Sequence, residues 1–394
     1  MRKPIGIILI VLGVCVVLFV LYENSKISHQ RRIFSPYSLL LSSWDNYKQQ
    51  FISKSGRTVD PSQNDTTTSE AQGYALLRAV WVDDKPTFDR VYVFTKDNMK
   101  QPDSNLFGWQ YGKVANNKYG FTSNGGNNPA SDADSDIAYA LILASRRWNN
   151  PSYQKQALPI IRDMWQYETA TTSAGKRYVI AGPWAQDPQK LIINVSYFAP
   201  YEWRTFATVD KKDDWDSLID PAYQLLNVVG TSPLDKARGV GLPPNWVAVD
   251  KQTGQVMPSN ISGYTTDYSF DAMRTPWRIA LDYQLYKDKR AYNYLKNSYA
   301  FLTNDYEKNH TLVLSYGHDG SRQTNLENPA MYATALGYFD TVDKGLAAQM
   351  YQDKVIQLYS NDEDSFDKNL PYYEQNWLWF GTALYNNFLS NFSS

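Results

Sequence analysis

Cysteine and histidine are scarce in this sequence. Cys15 is the only cysteine among 394 residues, so no disulfide can form within the chain, and the fold must rely on its hydrophobic core. The three histidines, His29, His310 and His318, are scattered and lack the spacing of a metal-binding motif. We therefore expect no catalytic metal ion and no other cofactor.

An excess of charge of one sign is also absent. The chain has 39 Lys and Arg against 40 Asp and Glu, a net charge of −1, which argues against a nucleic-acid partner. Aromatic residues, in contrast, are abundant, since 12 Trp, 30 Tyr and 16 Phe make up 15% of the chain. Many of them belong in a core, but flat aromatic faces also suit the apolar faces of sugar rings. The composition favours a carbohydrate ligand.

One long apolar run lies at the N-terminus. It extends without a charge from Ile5 to Leu21 and follows Arg2 and Lys3, and no small-residue cleavage site comes after it. The run is near the minimum length for crossing a bilayer. We predict that residues 1–22 form an uncleaved signal anchor, a single-pass transmembrane helix that leaves the rest of the chain outside the cell membrane.

The remainder of the chain has the pattern of a stalk followed by one domain. Residues 23–36 are polar and basic, and residues 37–394 show no break in composition that would separate a second domain. Predicted helices lie near residues 37–53, 70–81, 132–148, 151–168, 196–208, 212–229, 269–287, 290–304, 328–338, 343–359 and 374–389, with brief strands at 178–180 and 312–314. We therefore expect an all-α architecture of paired antiparallel helices with long loops, closed as a barrel.

The densest chemical signal is an acidic cluster directly before an apolar helical pattern. Asp132, Asp134 and Asp136 lie close together, although like charges at this spacing repel. We predict that Ser131 or Asp132 caps the helix, so that the first carboxylate lies beside free backbone N–H groups. Such a cluster suits water activation, a cation or sugar hydroxyls. Capping and helix-dipole compensation by exposed carboxylates are the alternatives.

Two further segments carry candidate acid–base groups. Glu70 follows Thr67 at the spacing of a capping box, which leaves a structural and a chemical interpretation equally open. Gly73, in the first turn of the same predicted helix, costs stability and indicates a close approach to the backbone. Asp271 and Arg274 share one helical face and can pair. Arg274 would then keep Asp271 ionised, as a general base requires, unless the pair is an ordinary surface contact.

Aromatic segments supply the candidate substrate contacts. Trp109 and Tyr111 lie in a turn-rich segment before the acidic cluster, and Tyr197 lies in a dense aromatic patch near Arg204. Each aromatic residue could instead belong to the core, whereas Tyr197 and Arg204 could also meet hydroxyls or a carboxylate. The predicted substrate contacts are Trp109, Tyr111, Tyr197, Trp203, Asp134 and Arg274.

Three of these segments resemble the signature blocks of glycoside hydrolase family 8, which includes bacterial endoglucanases. Residues 130–148 resemble the family signature at every constrained position. Residues 69–74, Ser-Glu-Ala-Gln-Gly-Tyr, resemble its Ser-Glu-Gly-x-Gly-Tyr block, and residues 271–278 resemble its Asp-Ala-x-Arg-x-Pro-Trp-Arg block. Residues 194–206 and 372–384 resemble further family segments, so the resemblance covers almost the whole predicted domain.

The resemblance implies an (α/α)6 barrel that hydrolyses β-1,4-linked glycans with inversion. It implies that Glu70 is the general acid, that Asp271 is the general base, and that Asp132 holds and distorts the sugar at the cleavage point. Inversion needs an acid and a base about 6.5–9.5 Å apart with a water between them. The fold must therefore bring the two helix ends together, and we expect a desolvated pocket around Glu70.

The chain also departs from the family pattern near these residues. Ala71 stands where the family usually has Gly, and Ala75 stands where a second Gly is common. Phe270 precedes the implied base, where the family often has Tyr, so a hydroxyl near the attacking water would be missing. Tyr197 is the candidate to replace that hydroxyl. These departures concern the subsites, and the implied reaction class is unchanged.

The sequence thus predicts a monomeric, membrane-anchored glycan hydrolase. Its polysaccharide substrate is a cellulose-like β-glucan or an exopolysaccharide that the cell makes itself, because a tethered enzyme stays near the exopolysaccharide synthesis machinery. Chitosan and xylan are the other polymers that the resemblance allows. The alternatives are an inactive polysaccharide-binding protein, which would lack the acid or the base, and a polysaccharide lyase, which would need Tyr, His or Arg beside a uronate.

Overall fold

The computed structural model describes residues 35–115, 118–123, 125–235, 238–298 and 300–393, and the described chain is mostly helical, with 54% helix. The prediction of a mostly helical domain is thereby confirmed. The predicted anchor at residues 1–22, and all of the predicted stalk before Ser35, lie outside the described residues. Among the helices that are described, none combines the length and the apolar character needed to cross a bilayer.

The helices of the described chain are numbered α1 to α13. They are α1 (Pro36–Phe51), α2 (Ser69–Val82), α3 (Lys85–Asn98), α4 (Ser131–Arg147), α5 (Pro151–Tyr167), α6 (Pro200–Val209), α7 (Ile219–Val229), α8 (Thr275–Tyr286), α9 (Lys289–Ser298), α10 (Ala300–Asn309), α11 (Pro329–Val342), α12 (Lys344–Met350) and α13 (Tyr372–Tyr385).

Six of these helices contact one another in a closed cycle. In the order α2, α4, α6, α8, α11 and α13, each helix packs against the next, and α13 packs back against α2. The remaining helices lie outside this ring: α3 packs on α2, α5 on α4, α9 on α8, α12 on α11 and α1 on α13, while α7 and α10 pack on α9. Ring helices and outer helices alternate along most of the chain.

The sequence explains which helices are central. Every residue of α2 except Glu70 is buried, and α4 is buried from Ser131 to Ala144, as expected for helices surrounded by protein on all sides. Outer helices such as α3 and α5 bury one stripe only. The close approach predicted at Gly73 is confirmed, since a Cβ there would lie 3.2 Å from the Cβ of Asp136 in α4.

The helix ends determine where the candidate site lies. The first turn of α2 and the first turn of α4 meet beside the turn that precedes α8, and Asn328, the N-cap of α11, donates to Glu374 in the first turn of α13. Helix α1 runs in the opposite direction to α13: Asn376 donates to Tyr47, Trp379 donates to the carbonyl of Leu40, and Tyr37 contacts Phe388. The N-terminal end of α1 therefore lies away from the site.

Several helix boundaries differ from the predictions. Helix α3 is absent from the predicted set, and the predicted strand at 312–314 does not form. The predicted helix at 290–304 is helical at all of its described residues. The predicted helix at 269–287 begins only at Thr275, after a short 3-10 turn at 272–274. Proline lies at the first or second position of six described α-helices, where its missing N–H costs nothing.

Short strands lie in the segments between the helices. They are β1 (Thr67–Thr68), β2 (Gln110–Lys113), β3 (Tyr119–Phe121), β4 (Thr169–Thr171), β5 (Arg177–Val179), β6 (Lys190–Ile193), β7 (Val247–Asp250), β8 (Val256–Met257), β9 (Tyr359–Ser360) and β10 (Ser365–Phe366). They form antiparallel sheets of two or three strands, β1–β2–β3, β4–β5, β6–β7–β8 and β9–β10. The register pairs Ile193 with Val247, which brings the loops flanking β6 and β7 together.

Candidate active site

One buried arginine collects three carboxylates at the mouth of the ring. Nη1 of Arg274 lies 2.7 Å from Oε2 of Glu70 and 3.0 Å from Oδ2 of Asp132, and Nη2 lies 2.7 Å from Oδ1 of Asp271. Glu70 and Arg274 are 204 positions apart in sequence. The three carboxylates that the sequence singled out for chemistry therefore meet on a single guanidinium.

Local structure fixes the position of this arginine. The short turn at 272–274 precedes α8, and Asp271 lies three residues before Arg274, so the predicted pairing of these two side chains is confirmed. Nε of Arg274 donates to Oγ of Ser196 at 3.2 Å, and the guanidinium lies over the ring of Tyr197 at 5.2 Å from its centroid. The arginine side chain is 2% exposed, so it is a rigid centre for the site.

Glu70 lies in the first turn of α2 with its carboxylate directed at the mouth. The alternative of a capping box between Thr67 and Glu70 does not hold, because Thr68 is the N-cap and accepts the Ala71 N–H, while Glu70 accepts a hydrogen bond of 2.9 Å from the Tyr372 hydroxyl. Burial raises the pKa of Glu70 to about 7, against the lowering effect of the Arg274 charge. A carboxyl with this pKa exchanges protons near neutral pH.

Asp132 lies in the first turn of α4, one residue beyond its start. The prediction that Ser131 or Asp132 caps the helix is wrong: Ala130 is the N-cap, Ser131 donates instead to the carbonyl of Ile180, and Asp132 accepts the N–H of Ala133 at 2.9 Å. Burial raises the pKa of Asp132, and the Arg274 charge opposes this rise. The expected carboxylate at the helix mouth is present without being the cap.

Asp271 has a second partner that the sequence analysis did not find. The indole N–H of Trp246 donates to its Oδ2 at 3.0 Å, while Arg274 binds Oδ1. Trp246 directly precedes β7, and the β6–β7 pairing holds it near the turn that carries Tyr197. Both oxygens of Asp271 are therefore oriented by fixed donors.

Two cavities flank the cluster. The first, here called the aromatic cavity, has a volume of about 320 Å³ and is lined by Trp109, Asn128, Pro129, Ala130, Trp184, Tyr197, Trp246 and Tyr264. The second, here called the acidic cavity, has a volume of about 310 Å³ and is lined by Asp60, Ser62, Gln63, Glu70, Phe270, Asp271, Arg274, Pro371, Tyr372, Tyr373 and Glu374. Because Trp246 of the first binds Asp271 of the second, the carboxylates lie between the two cavities.

The predicted substrate contacts divide into two groups. Trp109 and Tyr197 line the aromatic cavity, and Arg274 lines the acidic one. Tyr111 is partly buried on β2 between Phe94 and the ring of Tyr119. Tyr111, Trp203 and Asp134 line neither cavity.

Trp203 is 1% exposed and packs against Phe198 in the core, and Asp134 is 0% exposed. Oδ1 of Asp134 accepts the N–H of Phe107 at 2.8 Å. The alternative of an exposed carboxylate that compensates the helix dipole does not hold for Asp134 or for Asp136, which is 1% exposed. Asp134 and Asp136 are therefore buried in the interior of the domain.

A second arginine lies one helical turn below the first. Nη2 of Arg278 lies 2.9 Å from Oδ2 of Asp136, and Nη1 lies 3.4 Å from Oε1 of Glu202. The hydroxyl of Ser135 donates to the other oxygen of Glu202. Burial and the nearby Asp136 raise the pKa of Glu202 well above its usual range. This second cluster is closed to solvent.

Sequence reasoning missed four residues of the site: Trp184, Trp246, Tyr264 and Tyr372. The first three line the aromatic cavity: Trp246 and Tyr264 stack with ring centroids 4.1 Å apart, and Trp184 contacts Tyr264 edge-on. A signal was present for Trp184 and Trp246, because each follows a proline-containing turn in a long polar loop. Tyr372 lies in a segment that the family resemblance included, but without an assigned role.

Two bacterial endoglucanases have sequences similar to that of this chain. Endoglucanase A of Acetivibrio thermocellus is 28% identical over 384 residues, which cover 90% of this chain and 75% of that protein. An endoglucanase of Cellulomonas uda is 29% identical over 246 residues, which cover 62% of this chain and 64% of that protein.

Solved structures show the same fold. A β-1,3-1,4-glucanase from Paenibacillus sp. X4 superposes with a TM-score of 0.74 at 23% identity, covering 91% of this chain and 94% of that chain. An endo-1,4-D-glucanase from Vibrio fischeri ES114 superposes with a TM-score of 0.73 at 25% identity, covering 87% and 94%.

A helical ring with carboxylates at its mouth and an aromatic cavity beside them defines a glycosidase. The model of glycosyl hydrolases family 8 matches residues 18–378, and the chain belongs to this family. The predicted enzyme class is thereby confirmed.

Proposed function

We propose that this protein cleaves β-1,4-linked glucan chains internally and with inversion, with Glu70 as general acid and Asp271 as general base. The observation that carries the proposal is that both carboxylates bind the same guanidinium, that of Arg274, between two open cavities. A polymer that extends from one cavity to the other would pass directly over these two groups.

Glu70 has the properties of the acid. Burial raises its pKa to about 7, so a large fraction of the carboxyl groups carries a proton near neutral pH. Tyr372 donates to one oxygen of Glu70, which leaves the other oxygen to exchange between Arg274 and a leaving glycosidic oxygen. Protonation of that leaving oxygen is the step that a general acid performs.

Asp271 has the properties of the base. Arg274 and Trp246 donate to its two oxygens, which fixes the orientation of the carboxylate. Two contacts of 2.7 Å to neighbouring nitrogens of one guanidinium keep the nearest oxygens of Glu70 and Asp271 within roughly 8 Å, which is compatible with the separation that leaves room for a water in inverting enzymes.

Asp132 would hold the sugar at the cleavage point. Its Oδ2 contacts Arg274, and Ala130, two residues before it, lines the aromatic cavity. A carboxylate in this position can accept hydrogen bonds from sugar hydroxyls, and such bonds strengthen when the ring distorts toward the transition state.

A β-glucan is the substrate that the similarities favour. The relatives described above are named endoglucanases, and one structural neighbour is named a β-1,3-1,4-glucanase. The aromatic cavity offers stacked rings for the apolar faces of glucose units. We further propose that the helical ring with its outer layer is an (α/α)6 barrel, supported by the closed cycle of contacts between six helices.

The test is hydrolysis by the full-length protein in detergent micelles of barley β-glucan, carboxymethylcellulose, chitosan, xylan and host exopolysaccharide, with Glu70→Gln as control. We expect new reducing ends from a β-glucan, a rapid loss of viscosity, and α-anomers as the first products by NMR. Equal rates for both proteins would remove Glu70 as the acid. Products that absorb in the ultraviolet would indicate a lyase, and binding without products would indicate a binding protein.

The cellular setting is a separate part of the proposal. The uncharged run from Ile5 to Leu21 supports a single-pass anchor that keeps the monomeric domain outside the cell, near exopolysaccharide synthesis. Fractionation of cells that express the full-length chain tests this: activity should sediment with membranes and resist high salt, and activity in the culture medium would contradict it.

A further inference from the structure

Two carboxylates from neighbouring helices hold one loop segment beside the active site. Oδ1 of Asp134, in α4, accepts the N–H of Phe107 at 2.8 Å, and Oδ2 of Asp163, in α5, accepts the backbone N–H of Asn105 at 2.6 Å. The Asn105 side chain donates to the same Asp163 oxygen at 2.8 Å. Residues 105–109 are therefore attached through their backbone to both helices.

This segment connects two parts of the site. Trp109 lines the aromatic cavity, and its carbonyl accepts the N–H of Ser69 at 3.0 Å, next to Glu70. The N–H of Trp109 donates to the carbonyl of Asn128, which lines the same cavity. A displacement of the segment would move the Trp109 ring and the start of α2 together.

Glu168 lies behind this attachment. It follows α5 as its C-cap residue, is 0% exposed, and its carboxyl group contacts that of Asp134. In the part of the chain that the structure describes, no N–H or O–H group donates to either oxygen of Glu168. Two carboxyl groups in contact and away from water cannot both be ionised without a large cost, so the pair needs one proton.

We propose that Glu168 is a positioning residue: its protonated carboxyl donates to Asp134 and so orients the Asp134 oxygen that holds Phe107 and, through it, Trp109. The assignment of the proton to Glu168 follows from the partners of the pair. Asp134 already accepts the Phe107 N–H, as a carboxylate does, whereas Glu168 has no such donor. Burial raises the pKa of both carboxyl groups well above the usual range, and their mutual contact raises the pKa of Glu168 while it lowers that of Asp134.

The surroundings of the pair predict a dependence on pH. The ionisable groups that face Glu168 are Asp134, Asp132 and Asp163, and all three are acids. Those that face Asp134 are Glu168, Asp132 and Asp163. Ionisation of Glu168 at high pH therefore adds a buried charge beside other negative charges, and it removes the donor that orients Asp134. The attachment of residues 105–109 should loosen as the pH rises.

The test compares full-length Glu168→Gln and Glu168→Leu with the wild type in detergent micelles. The amide of Gln can still donate to Asp134 but cannot ionise, whereas Leu has no donor. Hydrogen exchange of the peptide containing Asn105 to Trp109 should accelerate at neutral pH in Glu168→Leu, by about tenfold, and remain unchanged in Glu168→Gln. At alkaline pH the wild type should lose protection relative to Glu168→Gln.

The kinetic readout rests on the proposed function. With long cello-oligosaccharides we expect KM to rise about fivefold in Glu168→Leu with kcat changed by less than about twofold, because Trp109 binds and does not react. In the wild type, KM should also rise at alkaline pH, when Glu168 ionises. Glu168→Gln should keep the wild-type KM at neutral pH and should not show this alkaline rise.

Several outcomes would overturn the proposal. Exchange that is as fast in Glu168→Gln as in Glu168→Leu would show that the proton is not needed, and identical alkaline behaviour of wild type and Glu168→Gln would show that Glu168 does not titrate. If Glu168→Leu does not fold, this second comparison decides alone. Exchange results as expected without hydrolysis of any glycan would contradict the proposed function and leave this inference standing.

Discussion

Two arginine–carboxylate clusters lie one helical turn apart and have opposite surroundings. The upper cluster joins Asp132 to Arg274 and the lower joins Asp136 to Arg278, with a spacing of four residues in each segment. The upper cluster borders a cavity, and Glu70 within it is 21% exposed. In the lower cluster no charged side chain exceeds 2% exposure.

The difference between the clusters is access to the cavity and to water. In the upper cluster, Glu70 has a pKa raised to about 7 and one oxygen that can turn to a ligand. In the lower cluster the pKa of Glu202 is also raised by burial, but Ser135 and Arg278 occupy its oxygens. A carboxyl with a raised pKa becomes a candidate catalyst only where a substrate can reach it, and otherwise it stabilises packing.

The sharpest way to test this contrast is to remove one acid from each cluster. Glu70→Gln should lower kcat by about 10²–10⁴-fold, because the general acid is lost. Glu202→Gln should leave kcat within about twofold, because the neutral amide still donates to Asp136 and accepts from Ser135. The measurement is reducing-end release from β-glucan under saturating conditions. Comparable losses in both variants would contradict the division of roles.

Removal of the arginines should reduce stability more in the lower cluster than in the upper one. Arg278→Met should lower the free energy of unfolding by about 3–5 kcal/mol, because it leaves buried carboxylates without a cation. Arg274→Met should abolish activity but destabilise less, since its carboxylates can turn toward the cavity. Urea denaturation followed by tryptophan fluorescence measures the free energy of unfolding of both variants, and reducing-end release measures their activity. Adding Asp136→Asn to Arg278→Met should restore part of the stability, and no recovery would count against charge burial as the cause.

The pH dependence should report on the upper cluster alone. The acid must be protonated, so kcat/KM of the wild type should fall about tenfold per pH unit above roughly pH 7. Tyr372→Phe removes a donor that lowers the pKa of Glu70, so this limb should move to higher pH. Glu202→Gln is the control and should leave the limb unchanged. A limb that does not move in Tyr372→Phe would assign it to another group.

The smallest effects should come from the aromatic cavity that serves the upper cluster. Trp184, which is 37% exposed, contacts Trp246 in a tilted arrangement and Tyr264 edge-on. Trp184→Ala should raise KM for long oligosaccharides by about three- to tenfold with little change in kcat. Leu326→Ala removes an exposed apolar residue that lines neither cavity and should change neither constant. A fall in kcat alone would place Trp184 in the chemistry.

Local spacing was sufficient to predict part of this arrangement. The pairing of Asp271 with Arg274 follows from a separation of three residues, and the close approach at Gly73 follows from a glycine in a helical turn. The late start of α8 was also readable, because Pro276 fits only the first turn of a helix. The family resemblance added the roles that spacing alone could not assign.

Long-range contacts could not be read from the sequence. Trp246 and Asp271 are joined through the β6–β7 pairing, and strands of four residues between polar loops give a weak periodic signal. Burial of Asp134 was unexpected because its partners, Phe107 and Glu168, lie on separate elements. Helix α3 was missed because most of its apolar residues form one short run, Val91 to Phe94, and such a run fits a strand as well as a helix.

The opposite direction of α1 relative to α13 has a consequence for orientation. The described chain begins beside Phe388, at the C-terminal end of α13, whereas Tyr372 marks the end that carries the carboxylates. The described chain therefore starts on the side of the domain opposite the carboxylates. With the anchor proposed above, a long polymer could enter the cleft from the open side, and the attachment would limit where the enzyme works but not which stretch of polymer it grips.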